Sequence, residues 1–335
     1  MRDRIKARRL YRRAGLLLFL ATAVLSGCGQ KQGRDPNDGR LKVTATLFSQ
    51  YDFARQVGRD RVDVELIVSA GMDSHSFEPT PSDMLDIQNS DVFLYNGGEM
   101  EYWVSEVLKS MDTSSMVTRR MMDYVDVVEE EDIEGAEIEK EHLHEGHNHV
   151  GADDDHAREI EYDEHIWTSP VNAVKMVEAI ADALIEADPD GRDDYMANAK
   201  EYTDKLKALD KEFQYVTANG KRRMLIFGDK FPFRYFTDEY GLDYRAAFPG
   251  CSTDTEPSID TMVYLIDKVK TEQIPVVYYL ELSSTKIART IAEETGARAL
   301  LLHSCHNVSK EDFNKGVTYL ELMEQNVINL REGLQ

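Results

Sequence analysis

The chain has 335 residues, of which 39 are Lys or Arg and 62 are Asp or Glu, so its formal net charge is −23. This length exceeds what a single hydrophobic core usually serves, and we therefore expect two lobes. So strong a negative charge repels the phosphates of nucleic acids and attracts cations, which argues against a nucleic-acid partner.

The first 27 residues have the layout of a secretory signal peptide. A basic stretch (MRDRIKARRLYRRAG) precedes an apolar run that is well short of the ~20 residues a membrane span needs. The small residues before Cys28 (LSGC) resemble the lipobox of bacterial lipoproteins, in which this cysteine is lipidated and becomes the first mature residue. We therefore expect an extracytoplasmic protein, anchored to the cell membrane by a lipid on Cys28. The alternative is a plain secretory signal with an incidental cysteine.

Residues 28–40 are expected to be a flexible tether, followed by an N-terminal lobe over residues 41–168. Apolar and β-branched runs that begin at positions 41, 62, 91 and 114 predict strands, and helical periods lie between them. This alternation is typical of a mainly parallel sheet. Acidic residues and histidines dominate residues 126–164 without a usable apolar period, which predicts a loop.

One long helical pattern covers residues 169–218 and predicts a helix that links two lobes. Pro170 suits its first turn, whereas Pro189 is expected to interrupt or restart it. Residues 219–335 repeat the strand and helix alternation and form the predicted C-terminal lobe. The predicted fold class is α/β: two similar lobes, each a mainly parallel sheet flanked by helices, joined by a long linking helix.

Besides Cys28, the chain has two cysteines, Cys251 and Cys305. A disulfide between them is favoured, because secretion permits one and pairing leaves no odd thiol. Joint ligation of a metal by the two thiolates is the alternative.

His75 lies in the stretch GMDSHSFEPTPSDM, just past the second predicted strand, at the edge where open α/β sheets bind ligands. Taken alone, it is more simply a surface or core histidine. The stretch resembles the G-x-D-x-H-x-[YF]-E-P-[TS]-P-x-D segment of the metal-binding proteins that serve bacterial ABC importers, the cluster A-I group of zinc and manganese binders. DEHIWTSP resembles the D-P-H-x-W-L-x-P segment of the same group and carries His165 over as a second ligand. The resemblance spans the whole mature chain.

The C-terminal part of the chain both follows and departs from this pattern. YYLELSSTKIARTIAEETGARALLLHS resembles the last segment of the group, in which a strand ends in an acidic ligand, and His303 stands at that position. The segment that usually reads H-D-A-F-x-Y-F has Gly228 in place of its histidine ligand and one inserted residue. Asp229 is the candidate replacement, or else the cap of the following helix. Further candidates for this position are Glu281, Glu101, His306 and a water.

The predicted ligands favour zinc. Three imidazoles with one carboxylate or water form the nitrogen-rich tetrahedral site that zinc prefers, whereas Mn²⁺, the second choice, prefers more oxygen donors. Copper also binds imidazoles tightly.

Five loop histidines are expected to recruit ions weakly, since ordering a flexible segment around one ion costs chain entropy; the alternative is a merely solvated loop. They are His142, His144, His147, His149 and His156.

The resemblance implies a monomeric lipoprotein that binds zinc between its lobes and delivers it to an ABC permease with its ATPase subunits, without covalent catalysis. A secreted zinc hydrolase is an alternative, because three histidines leave an open position for an activated water; against it, the sequence contains no H-E-x-x-H. A metal-binding surface adhesin with the same fold is a further alternative, which the lipobox leaves open.

Overall fold

Two four-stranded parallel sheets organise the computed structural model, which describes residues 39–131, 133–136, 161–250 and 256–335. Residues Arg40–Gln335 form one compact unit. The predicted signal peptide, Cys28, Cys251 and the five loop histidines lie outside the described residues. None of the described helices is long and apolar enough to cross a membrane.

The first sheet has the strand order β2-β1-β3-β4, and its neighbouring strands are all parallel. Its strands are β1 (Leu41–Ala45), β2 (Val62–Leu66), β3 (Val92–Tyr95) and β4 (Val117–Arg120). The connecting helices are α1 (Phe48–Gly58), α2 (Pro81–Gln88) and α3 (Tyr102–Ser110). All four strands lie where the apolar and β-branched runs predict them.

The second sheet repeats this topology, with the order β6-β5-β7-β8 and parallel neighbours. Its strands are β5 (Met224–Phe227), β6 (Asp243–Ala246), β7 (Val276–Tyr279) and β8 (Arg298–Leu301). Its helices are α6 (Arg234–Tyr240), α7 (Ile259–Glu272), α8 (Lys286–Thr295), α9 (Lys310–Lys315) and α10 (Tyr319–Leu334). Helices α9 and α10 are separate, because Gly316 takes a left-handed φ of 74° that ends α9.

The predicted linking helix is also divided. Helices α4 (Pro170–Ala187) and α5 (Arg192–Ala218) are separated by a short 3-10 turn at Pro189–Gly191. The hydroxyl of Ser169 accepts the backbone N–H of Asn172 at 3.4 Å and caps the start of α4. Pro189 therefore interrupts the helical pattern, as its missing N–H predicts.

Most of the buried apolar side chains form one continuous core that includes residues of both sheets and of the linking helices. Trp167, Tyr195 and Tyr319 are among its largest fully buried members. A smaller core lies around β7, α7 and α8. The two sheets are therefore held by shared packing, and the loops at the carboxyl ends of their strands line one pocket.

Candidate metal centre

Three histidines converge between the two sheets. One potential donor atom of each of His75, His165 and His306 lies within 4.8 Å of those of the other two. A tetrahedral zinc ion with Zn–N bonds of about 2.0 Å holds its nitrogen ligands about 3.3 Å apart, so movements of about an ångström would bring these atoms onto one ion. The cluster can serve as a three-nitrogen metal site.

The histidines face a pocket of about 250 Å³. Its walls are loops that follow strands of both sheets, the position where parallel sheets present ligand-binding groups. The lining residues include Gly71, Met72, Asp73, Ser74, Asp229, Lys230, Gly250, Glu281, Leu282, Ser283, Ser304 and Asn307.

His165 is oriented by Asp163. The Asp163 Oδ1 atom accepts the backbone N–H of His165 at 2.8 Å and lies 3.2 Å from its Nδ1. A carboxylate at Nδ1 keeps the proton on that nitrogen and leaves the Nε2 lone pair for a metal. Burial alone would lower the pKa of His165, but Asp163 and Glu164 outweigh it and raise the pKa.

His75 lies in the loop after β2, where its backbone N–H donates to Asp73 Oδ1 at 3.0 Å. Burial, assisted by the charge of a protonated His165, lowers the pKa of His75 to about 4. His75 is therefore neutral near pH 7 and releases no proton when it binds a metal.

His306 follows β8 in a loop that Glu281 holds. The Glu281 carboxylate accepts the Ser304 backbone N–H at 2.8 Å, the Ser304 hydroxyl at 2.5 Å and the His306 backbone N–H at 3.3 Å. Burial is the main cause that lowers the pKa of His306 well below its usual value, and the charges of the nearby histidines add to this effect. This third imidazole is neutral as well.

The predicted placement of His303 needs correction, because this residue lies outside the cluster that His306 completes. Its Nδ1 accepts the backbone N–H of Cys305 at 2.9 Å, and its own backbone groups are bonded to the Asn326 side chain. Cys305 has a φ of 58°, in the left-handed region, which redirects the chain between the two histidines. The sequence analysis included His306 among several candidates for the remaining position; the His-Ser-Cys-His spacing was the available signal.

Residues 43–333 match the family described as "Zinc-uptake complex component A periplasmic". The chain belongs to this zinc-uptake family. It is 34% identical over 316 residues to the high-affinity zinc uptake system protein ZnuA of Bacillus subtilis (strain 168), covering 94% of each chain. It is 33% identical over 319 residues to the zinc-binding lipoprotein AdcA of Streptococcus pneumoniae serotype 4, covering 95% of this chain but 60% of AdcA. The solved Zn(II)-bound ZnuA-like domain of Streptococcus pneumoniae AdcA superimposes with a TM-score of 0.71 at 29% identity, covering 88% of this chain and 99% of that domain.

Gly228 has no room for a side chain. A Cβ atom on Gly228 would lie 2.4 Å from the Cα and 2.6 Å from the N of Ala288, which are backbone atoms of α8. Any side chain at this position would therefore require the helix to move. The histidine that the resemblance would place at this position therefore has no room here.

The carboxylates that were candidates for the remaining position lie outside the histidine cluster. Asp229 lines the pocket, but its Oδ1 accepts the backbone N–H of Lys230 at 2.8 Å and its Oδ2 that of Leu280 at 3.0 Å, together with the Ser283 hydroxyl. It does not cap α6, which begins after Phe233. Glu101 is buried, and its Oε2 accepts the Gly97 N–H at 2.7 Å.

Among the described residues Cys305 is a free thiol, and Cys251, its predicted partner, lies outside them. The Cys305 side chain is fully buried in the main core, and burial raises the pKa of the thiol well above its usual value. Such a thiol stays protonated and is a poor metal ligand, which also argues against joint ligation by the two cysteines.

Proposed function

We propose that the chain is the zinc-binding component of an ABC importer, which holds Zn²⁺ between its two lobes at His75, His165 and His306 and delivers it to a permease with its ATPase subunits. The observation that carries this proposal is the convergence of the three imidazoles at a pocket between the sheets, in a chain of the zinc-uptake family.

The chemistry of the donors favours zinc over manganese, the second choice. The three imidazoles offer nitrogen lone pairs, and Asp163 orients one of the rings. The nearby carboxylates of Asp229 and Glu281 accept hydrogen bonds from the protein, which leaves fewer oxygen donors than manganese prefers. A fourth zinc position is then open to water or to a displaced carboxylate.

The predicted lipoprotein signal gives the location of the protein. A lipid on Cys28 would anchor the monomeric protein outside the cell membrane after removal of residues 1–27, and residues 28–40 would act as the tether. The five loop histidines would recruit ions for the cleft. The role is to bind and transfer an ion, without catalysis.

A competition titration with a zinc chelator tests the site. His75→Ala, His165→Ala and His306→Ala each remove one donor of three, so each should weaken zinc binding by on the order of 100-fold or more. His303→Ala is the matched control, since it removes a buried histidine of the same loop from outside the cluster, and it should weaken binding far less. Full affinity in the three cluster variants would refute the proposal.

A growth experiment tests the transport role. A strain that lacks this protein should fail only when zinc is scarce, and the gene for the His165→Ala variant should not restore growth. Normal growth of the deletion strain under zinc limitation, together with turnover of a peptide or ester panel by the purified protein, would instead support the hydrolase alternative.

A further inference from the structure

A methionine sulfur lies beside the histidine cluster. The Sδ atom of Met100 is 3.0 Å from Nε2 of His306 and 3.2 Å from the Ser74 hydroxyl oxygen. The Met100 side chain is buried, with 6% of the residue exposed. A thioether therefore adjoins one of the three imidazoles, away from bulk water.

The position of Met100 is tied to the segment that carries His165. The backbone N–H of Met100 donates to both carboxylate oxygens of Glu164, at 2.9 and 3.1 Å, and Glu164 directly precedes His165. Gly98 permits this contact: a Cβ atom there would lie 2.4 Å from the Glu164 carboxylate carbon, and its φ of 90° also suits glycine. The backbone of Met100 is thus held beside the segment that carries His165, and its side chain reaches His306.

We propose that Met100 is a fourth donor at this centre and that the site also takes the soft cation Cu(I), bound by the histidines and the thioether. This inference rests on the proposed function for the assignment of the histidines as metal donors. It adds a cargo class that the three imidazoles alone do not specify.

The geometry is close to what a shared ion requires. An ion that binds sulfur at about 2.3 Å and imidazole nitrogen at about 2.0 Å in tetrahedral geometry separates these donors by about 3.5 Å. The observed 3.0 Å between Sδ and Nε2 differs from this by about 0.5 Å, and the three torsions of a methionine side chain can supply such a change.

The donor chemistry distinguishes the two cargoes. Thioethers are soft ligands that select Cu(I), whereas zinc sites are built from thiolate, imidazole and carboxylate. Zinc would therefore rely on the histidines and an oxygen donor, and Cu(I) would gain the sulfur. No electron transfer is involved, since the ion enters and leaves as Cu(I).

Selenomethionine labelling offers a direct test on the full chain. The labelled protein is loaded with one equivalent of Cu(I), supplied as its acetonitrile complex, and X-ray absorption at the copper edge should show selenium bonded to copper. Cysteine thiols contribute no selenium signal. Met100→Leu should remove it and should lower the ratio of Cu(I) affinity to zinc affinity by on the order of tenfold.

Met116→Leu is the matched control, because the Met116 sulfur also accepts a serine hydroxyl, that of Ser90 at 3.4 Å, whereas the Met100 sulfur also contacts His306. It should retain the selenium signal. Copper bound without a selenium neighbour, or no Cu(I) binding in protein that binds zinc, would overturn this inference while leaving the proposed function intact. Failure to bind zinc despite a copper–selenium signal would instead refute the zinc-importer proposal alone.

Discussion

The indole Nε1 of Trp167 donates a hydrogen bond to the main-chain oxygen of Ser304 at 2.8 Å. This bond joins the segment that carries His165 to the loop that carries His306. The fully buried Trp167 ring also lies against both imidazoles, with centroid distances of 5.6 Å to His165 and 5.1 Å to His306. One side chain therefore sets the spacing of two candidate ligands that are far apart in the sequence.

Trp167→Phe should weaken zinc binding by about tenfold, because the two histidines lose their common support. It should also destabilise the fold by about 1–3 kcal/mol, since the buried Ser304 oxygen loses its partner. Zinc affinity by competition and stability by chemical denaturation measure the two effects.

Trp103→Phe is the control for the loss of indole packing. Trp103 is also buried and packs against Phe77 with ring centroids 5.6 Å apart, whereas the Trp167 ring packs against two of the clustered histidines. Its substitution should reduce stability with little change in affinity. Equal losses of affinity in the two variants would show that Trp167 acts through general stability alone.

Removal of the Asp163 carboxylate should loosen His165. Asp163→Ala should lower zinc affinity by about 10- to 100-fold, the usual effect of losing a carboxylate that orients a metal-binding histidine. Asp163→Asn keeps an oxygen acceptor at Nδ1 and should have a smaller effect. Asp73→Ala is the control, since Asp73 accepts the backbone N–H of His75. Wild-type affinity in Asp163→Ala would contradict the orienting role.

The parts of this architecture that depend on local patterns could be predicted from the sequence. The strands follow runs of apolar and β-branched residues, and His75 and His165 lie in short motifs. The exchange of His303 for His306 could not be predicted, because it depends on the left-handed backbone of Cys305 and on Asn326, which is 23 residues from His303. The full burial of Cys305 could not be predicted either, because cysteine count and compartment say nothing about whether a thiol is enclosed by the core.

Gly228→His would place an imidazole at the position where the resembling segment usually has a histidine, yet it should not improve zinc binding. Gly228→Ala alone should destabilise the protein by about 1–3 kcal/mol, since its Cβ meets the backbone of Ala288. The histidine variant should be at least as unstable. A stable Gly228→His protein with tighter zinc binding would show that α8 yields easily and that the steric explanation fails.

Glu101 should make stability depend on pH. Burial raises the pKa of Glu101 to about 7 from its usual 4.5, and its Oε1 has no hydrogen-bond partner among the described residues. The folded state thus holds a proton that the unfolded state releases. The resulting destabilisation is absent below about pH 4.5, grows between about pH 4.5 and pH 7, and reaches about 3 kcal/mol above pH 7.

Glu101→Gln removes this ionisation and keeps an acceptor for the Gly97 N–H. The variant should therefore be more stable than the wild type above pH 7, and the difference should vanish towards pH 4.5, as measured by denaturation at several pH values. Glu99→Gln, at an exposed position two residues away, controls for the loss of a charge. A stability difference that does not change with pH would exclude Glu101 as the source.

Deletion of residues 139–157 separates recruitment from tight binding. His75, His165 and His306 all lie outside the deleted segment, so the dissociation constant of the tight site should change little. Additional weak zinc equivalents should disappear, because the deletion removes five histidines and many carboxylates. Calorimetric titration of the intact and shortened proteins measures both classes of site.

Stopped-flow loading at two salt concentrations completes this test. The acidic segment raises the local concentration of cations, so its deletion should slow zinc capture at low salt, and the difference should shrink as salt screens the charges. The weak equivalents should also be lost below about pH 6.5 in the intact protein, since a protonated imidazole has no lone pair for a metal. If the deletion abolished the tight site, the loop histidines themselves would hold the ion, and the assignment of His75, His165 and His306 as its main ligands would have to be abandoned.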